Sequence, residues 1–247
     1  MSKLHVITHK DELDPALLAG KVVVVLDILF ATSTIVTVLA RGARCVVPAR
    51  DAEEARGLAA EQPAGCHILA GENRAQPIPG FGPFTPMALA ATVTDDTSVI
   101  FVTTNGTVAL KRAESAPHVY TGCLLNGAAL ANHINNQHSD RTVLLYCAGS
   151  RNRLALEDLI GAGHIVQRLI ERRTDHWQLT DAALTAQMLY TGADVRHSLH
   201  RSRVGRMVAE MDLSAEVEYS AQMDTVLTIP RLMDGTLWPE SGDPSPI

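Results

Sequence analysis

Val22-Val-Val-Val-Leu26, followed by Asp27-Ile-Leu-Phe-Ala-Thr-Ser-Thr34, decides how this chain is read. A run of Val and Leu with no polar face must be covered on both sides. Parallel strands inside a two-sided sheet have that character. The period then changes. Thr32-Ser-Thr34 supplies hydroxyls, Ile35, Val36, Val38 and Leu39 form an apolar stripe, and Arg41-Gly42 closes the segment. Polar start, stripe and Arg-Gly stop spell a short helix. The unit is strand, acid-bearing turn, helix.

Outward from that unit the same alternation recurs. Strands are expected at Cys45–Val47, His67–Ala70, Ser98–Thr103, Val119–Gly122 and Thr142–Cys147. Helices are expected at Asp51–Ala60, Thr107–Glu114, Gly127–Asn135 and from about Leu154 to Arg172. Two further helices are expected at Thr180–Leu189 and His197–Met211, and late strands at Val217–Tyr219 and Val226–Ile229. Gly71–Pro86 carries four prolines and three glycines and reads as a long functional loop. Repeated strand–helix units predict an α/β fold, three-layer α/β/α, with a mostly parallel or mixed sheet and helices on both faces. We read residues 1–247 as one domain with a loose tail after about residue 238.

Composition narrows the function. Net charge is −6, from 21 Lys and Arg against 27 Asp and Glu. That balance argues against a nucleic-acid partner, which requires clustered cations. The longest apolar run is too short to span a bilayer, and no signal segment opens the chain. The four cysteines (Cys45, Cys66, Cys123 and Cys147) are widely spaced, so reduced thiols and a cytoplasmic location are expected. The ten histidines come with no paired C-x-x-C, so a zinc site is not expected. A homodimer is a plausible assembly.

In such sheets ligands bind beyond the carboxyl ends of the strands. Those ends carry Asp27, Glu72, Thr103-Thr-Asn-Gly106, Asn126 and Cys147-Ala-Gly-Ser-Arg-Asn-Arg153, with Glu157 and Asp158 in the helix that follows. Asp27 stands out, because a carboxylate after five apolar residues needs a partner, a helix to cap, or a metal. Hard oxygen ligands such as Asp27, Glu72 and Asp158 suit magnesium. Thr104, Asn105 and Gly106 before a helix suit a phosphate, although an ordinary strand-to-helix turn has the same residues. Glu157 and Asp158 point about 100° apart on a helix, so at most one faces a site. Cys147 to Arg153 fits C-x5-R, the loop of cysteine-dependent phosphatases, while a buried structural thiol is the plainer reading. Arg151 and Arg153 read as anion forks.

Taken in order, these segments resemble the 2-phosphosulfolactate phosphatase family of coenzyme M biosynthesis. The matching pieces are Val25-Leu-Asp-Ile-Leu-Phe-Ala-Thr-Ser-Thr34, Gly71-Glu-Asn with Ile78-Pro-Gly-Phe81, and Thr103-Thr-Asn-Gly-Thr107. Leu125-Asn126, Cys147-Ala-Gly-Ser150, Leu156-Glu-Asp158 and Ala162-Gly163 complete the set. The resemblance implies a magnesium-dependent phosphatase acting on phosphate esters of small 2-hydroxy acids. It implies Asp27, Glu72 and Asp158 as metal ligands, and Asp27, Asn105 and Asp158 as catalytic groups. Thr32, Arg74, Thr104, Gly106, Asn126 and Arg153 become substrate-binding candidates. One departure matters: Phe30 stands where the family carries Arg, which removes a guanidinium fork, and Arg74 is placed to compensate. Two rival readings are a non-catalytic protein that binds a phosphorylated acid and a thiol phosphatase using Cys147.

Overall fold

Eleven strands join in one sheet in the computed structural model, which describes residues 2–63, 65–173 and 176–241. In chain order they are β1 (Ser2–Ile7), β2 (Val22–Leu26), β3 (Cys45–Ala49), β4 (His67–Asn73), β5 (Gln76–Pro77), β6 (Ser98–Val102), β7 (His118–Thr121), β8 (Val143–Cys147), β9 (Trp177–Leu179), β10 (Thr228–Met233) and β11 (Thr236–Ser241). The helices are α1 (Ala31–Ala40), α2 (Ala52–Ala60), α3 (Pro86–Ala90), α4 (Gly106–Ala113), α5 (Gly127–Gln137), α6 (Leu156–Arg172), α7 (Asp181–Gly192), α8 (Val195–Arg201), α9 (Arg203–Ala209) and α10 (Ser214–Ser220). Strand order is β5-β4-β6-β3-β11-β10-β7-β2-β8-β1-β9.

β2 lies between β7 and β8, parallel to both, and all five of its side chains are fully buried. They alternate between two cores. Val22, Val24 and Leu26 pack with Leu130 and Ile134 of α5 and Ile160 and Ile165 of α6. Val23 and Val25 pack with Ile35 and Val38 of α1 and Ala109 and Leu110 of α4. Helices therefore cover both faces, and the three-layer α/β/α expectation holds. Each such side chain contributes about 2 kcal/mol before the opposing chain entropy.

The sheet divides into two parallel blocks. β4, β6 and β3 are parallel to one another. So are β7, β2, β8, β1 and β9. Between the two blocks sits the antiparallel β10–β11 hairpin, antiparallel again to β7 on one side and to β3 on the other. Three reversals leave the blocks running in opposite directions. The hairpin's hold on the blocks is short: Leu237 opposes Val46, and Arg231 and Leu232 oppose Tyr120 and Val119.

Several elements differ from the sequence reading. The chain expected to loosen after about residue 238 continues as β11 to Ser241, and residues 242–247 lie outside the described residues. Its turn, Asp234-Gly235, has positive φ at both residues, which is what a two-residue hairpin requires. β1 was not expected as a strand, yet it pairs with β8 and β9. The Gly71–Pro86 loop begins inside β4 and makes a small hairpin, with Pro77 on the edge strand β5, where no ladder donor is needed. Val217–Tyr219 is helical within α10, because short apolar runs do not distinguish the two periods. The single helix expected at His197–Met211 is two, broken at Ser202, whose hydroxyl caps α9 by accepting from Gly205 N at 2.9 Å.

Candidate active site

One cavity of about 450 Å³ takes side chains from both blocks. Asp27 comes from the tip of β2, Glu72 from β4, Thr103, Thr104 and Asn105 from the tip of β6, Ser150 and Arg151 from the tip of β8, and Lys10 from beyond β1. The C-terminal third adds Arg203, Val204, Met207 and Val208 from α9.

The β2-to-α1 turn holds Asp27 by its backbone. Asp27 N donates to Thr32 Oγ1 (3.1 Å), while Thr32 N and Oγ1 both donate to Asp27 O (2.9 and 3.0 Å). The Gly106 N–H, which opens α4, points at the Asp27 carboxylate. That approach requires glycine: a Cβ at Gly106 would lie 2.7 Å from Asp27 Oδ2 and would collide with the Ala31 methyl. Burial is the main cause that pushes the Asp27 pKa up to about 7, and the negative charges of Glu72 and Glu157 add to it. Gly106 and Lys10 oppose that shift.

Glu72 is buried and ties two loops together. One oxygen accepts from Thr104 N (2.6 Å), and the other from the Thr104 hydroxyl (3.0 Å) and Ala75 N. Thr104 Oγ1 in turn accepts from Arg74 N (2.6 Å). The turn between β4 and β5 carries Arg74 and Ala75 with positive φ, so it is a strained turn set against the β6 tip. Thr104 thus serves the carboxylate. Its N–H is not open to a phosphate, and the N–H groups of Thr103 and Thr107 are taken by each other's hydroxyls.

Cations face these acids. Lys10 Nζ donates to Asn105 Oδ1 at 2.7 Å, which fixes the ammonium beside the β6 tip. Arg74, Arg151 and Arg203 line the same cavity, and Leu29, Phe30 and Phe84 form an apolar wall. Lys10 and Arg203 were not expected. Lys10 follows β1, a strand too short and mixed in character to announce itself locally, and no local pattern distinguishes Arg203 from its neighbours Arg201 and Arg206.

The other expected residues are placed elsewhere. Asp158 is buried and does not line the cavity: Oδ1 accepts from Ile28 N and Oδ2 from Gly149 N, each at 2.9 Å. It fastens the β2 tip to the β8 tip. Asn126 is buried and bonds Cys123 N, Thr121 O and Thr228 O. Thr32 and Gly106 act on Asp27 from behind the cavity wall, and Arg153 lines an adjoining recess. Glu157, not Asp158, borders that recess.

Cys147 is not placed as a nucleophile. It is buried in the core, and burial, together with the negative charges of Asp158, Glu12 and Glu157, pushes its thiol well above the ordinary range. The N–H groups that follow it directly are taken: Ala148 by Leu26 O, Gly149 by Asp158, Ser150 by Arg153 O. A phosphate at the sulfur would find none of these three free.

Among the described residues no three His, Cys, Asp or Glu side chains are grouped as a ready metal cage. Asp27 and Glu72 are the carboxylates at the cavity that could hold a cation. They form a negative pair of hard oxygens whose mutual repulsion a divalent ion would relieve. Magnesium is typically bound by one or two carboxylates, with phosphate and water completing its shell, so this donor set fits it. Among the described residues no helix is long and apolar enough to cross a membrane.

Residues 7–235 match the family model described as 2-phosphosulpholactate phosphatase. A protein of Symbiobacterium thermophilum named "Probable 2-phosphosulfolactate phosphatase" is 34% identical over 223 residues, covering 88% of this chain and 94% of that protein. Proteins of the same name from Deinococcus radiodurans (35% identical, 87% and 88% covered) and Clostridium acetobutylicum (32%, 95% and 99%) are similar over comparable lengths.

Proposed function

The chain belongs to the 2-phosphosulpholactate phosphatase family, a family of phosphoric monoester hydrolases, and from that premise we propose that it hydrolyses the phosphate ester of a small 2-hydroxy acid with magnesium as cofactor, its substrate resembling 2-phosphosulfolactate. The observation that carries this reading is the meeting of both charge signs in one cavity. Asp27 and Glu72 line it together with Lys10, Arg74, Arg151 and Arg203.

In this reading Asp27 and Glu72 would hold the magnesium ion, which when bound would supply charge neutralisation at the phosphate. The chain's own groups do the remaining work. Gly106 N–H and the Thr32 turn keep the Asp27 carboxylate aimed into the cavity. Lys10, held by Asn105, contacts phosphoryl oxygens as negative charge builds on them. Arg74 stands at the rim of the same space. Leu29, Phe30 and Phe84 exclude bulk water, which strengthens every charge contact inside. Water attacks phosphorus, the ester P–O bond breaks, and the 2-hydroxy acid leaves with a proton on its oxygen.

A phosphate-release screen over phosphorylated 2-hydroxy acids, with magnesium or with EDTA, tests this reading. We expect release that needs the metal, disappears in Asp27→Asn and persists after iodoacetamide. Turnover that survives chelation would remove magnesium from the reading. Turnover that survives Asp27→Asn would remove the site.

A further inference from the structure

Beside the catalytic cavity lies a second recess of about 430 Å³, sharing Ser150, Arg151, Arg203 and Val204 with it. Its walls hold four arginines, Arg151, Arg153, Arg201 and Arg203, and one acid, Glu157. We propose that this annexe is the binding site for the second acid group of the substrate, and that the group it is built for is a sulfonate. The inference rests on the phosphatase reading above and adds the place and residues of substrate selection.

Three observations carry it. The first is unbalanced charge. None of the four guanidiniums is within ion-pair distance of a carboxylate among the described residues, in a chain whose net charge is −6. Glu157 is buried and is the one acid in the lining, set against four arginines. Gathering like charges around one recess is unfavourable unless an anion enters it.

The second observation is how the arginines are held. The Arg203 guanidinium donates to Ser150 Oγ, joining α9 to the β8 tip at the lip between the two cavities. Ser150 and Arg153 close a tight turn through paired backbone bonds (2.9 and 3.1 Å). The two residues inside it, Arg151 and Asn152, both have φ of 54°, a region that side chains other than glycine's disfavour. That strained turn presents Arg151 to both cavities.

The third observation is chemical fit. A guanidinium offers planar pairs of N–H groups that match oxyanions two at a time. A sulfonate has three equivalent oxygens and stays charged throughout the working pH range, so several arginines can share it. Asp27 and Glu72 line the catalytic cavity alone, and Arg151 and Arg203 line it and the annexe both. An ester with its phosphate on the metal side therefore directs its far acid group to the arginines. Phe30 offers no charge to that group, and the annexe supplies it from another direction.

The test uses Arg153→Gln and Arg201→Gln, singly and together, in the full chain. Phosphate release is measured from 2-phosphosulfolactate and from 2-phospholactate, which lacks the sulfonate. The expected result is a wild-type preference for the sulfonated ester, with the ratio of the two kcat/KM values falling at least tenfold in the double variant, mainly through KM. A wild type without preference, or an equal loss on both esters, overturns the annexe. A calorimetric titration with 3-sulfolactate and with lactate separates this from the phosphatase reading. Arginine-dependent binding of sulfolactate by a protein that releases no phosphate supports the annexe and overturns the phosphatase. Turnover with sulfolactate affinity equal in wild type and double variant does the reverse.

Discussion

Replacing Asp27 by Asn should make the metal-free protein more stable at neutral and alkaline pH while abolishing turnover. Asp27 has a folded pKa near 7 against an ordinary value of 3.8. Between those values the native state keeps a proton that the unfolded chain releases. Stability from this group is therefore full below about pH 4, falls as pH rises towards 7, and is level above it. The difference is about 3 units, and at about 1.4 kcal/mol per unit the loss is about 4 kcal/mol. Water in the cavity screens part of this and leaves about 2 kcal/mol as a lower figure. Asparagine keeps an oxygen to accept the Gly106 N–H and carries no charge, so it escapes the loss. For a chain of this length the gain corresponds to a rise in Tm of about 4–15 °C at about pH 8. The assay is urea or thermal unfolding of wild type and Asp27→Asn in EDTA, at about pH 4 and about pH 8. The variant should be more stable at the higher pH, and the two should converge at the lower. Adding magnesium at about pH 8 should stabilise the wild type and leave the variant unmoved. A variant no more stable than wild type at about pH 8 in EDTA would refute the claim that a crowded carboxylate is held at this cavity.

Three further outcomes are expected. Gly106→Ala brings a methyl against Asp27 and Ala31; stability should fall by about 1–3 kcal/mol in urea unfolding, and phosphate release should fall at least about tenfold as Asp27 is displaced. Lys10→Met should lower kcat by about 10²–10³ with little change in Tm, because the ammonium is anchored by Asn105 and contributes to the reaction more than to the core. Cys147→Ala should keep phosphate release within about twofold of wild type and lose about 1–3 kcal/mol of stability from the cavity it leaves, read by steady-state kinetics and denaturation.

Much of the scaffold is legible in local sequence because it follows from local physics. The Val22–Leu26 run must be covered on two faces, and it is. Asp51 reads as a helix start and caps α2 through Glu53 N and Glu54 N. Asp27 and Glu72 are legible as acids just past apolar strands, and both line the cavity. Asp158 has the same sequence character and a different fate: it lies off the cavity and fastens two distant loops through Ile28 N and Gly149 N. Nothing within a few residues of Asp158 announces Ile28 or Gly149. The Asp234-Gly235 turn was a readable hairpin signal, but not where that hairpin would be inserted.

Residue order by itself determined the periods, the caps, the strand tips and the kinds of side chain they carry, because each depends on neighbours within a turn or two of chain. The tertiary structure alone decided which tips meet. The last hairpin enters the middle of the sheet between the two blocks, and β2 and β8 share a cavity with β4 and β6. Lys10 and Arg203, nearly two hundred residues apart, reach that cavity only through this arrangement. Charge acts through space, and the sequence records distance only along the chain.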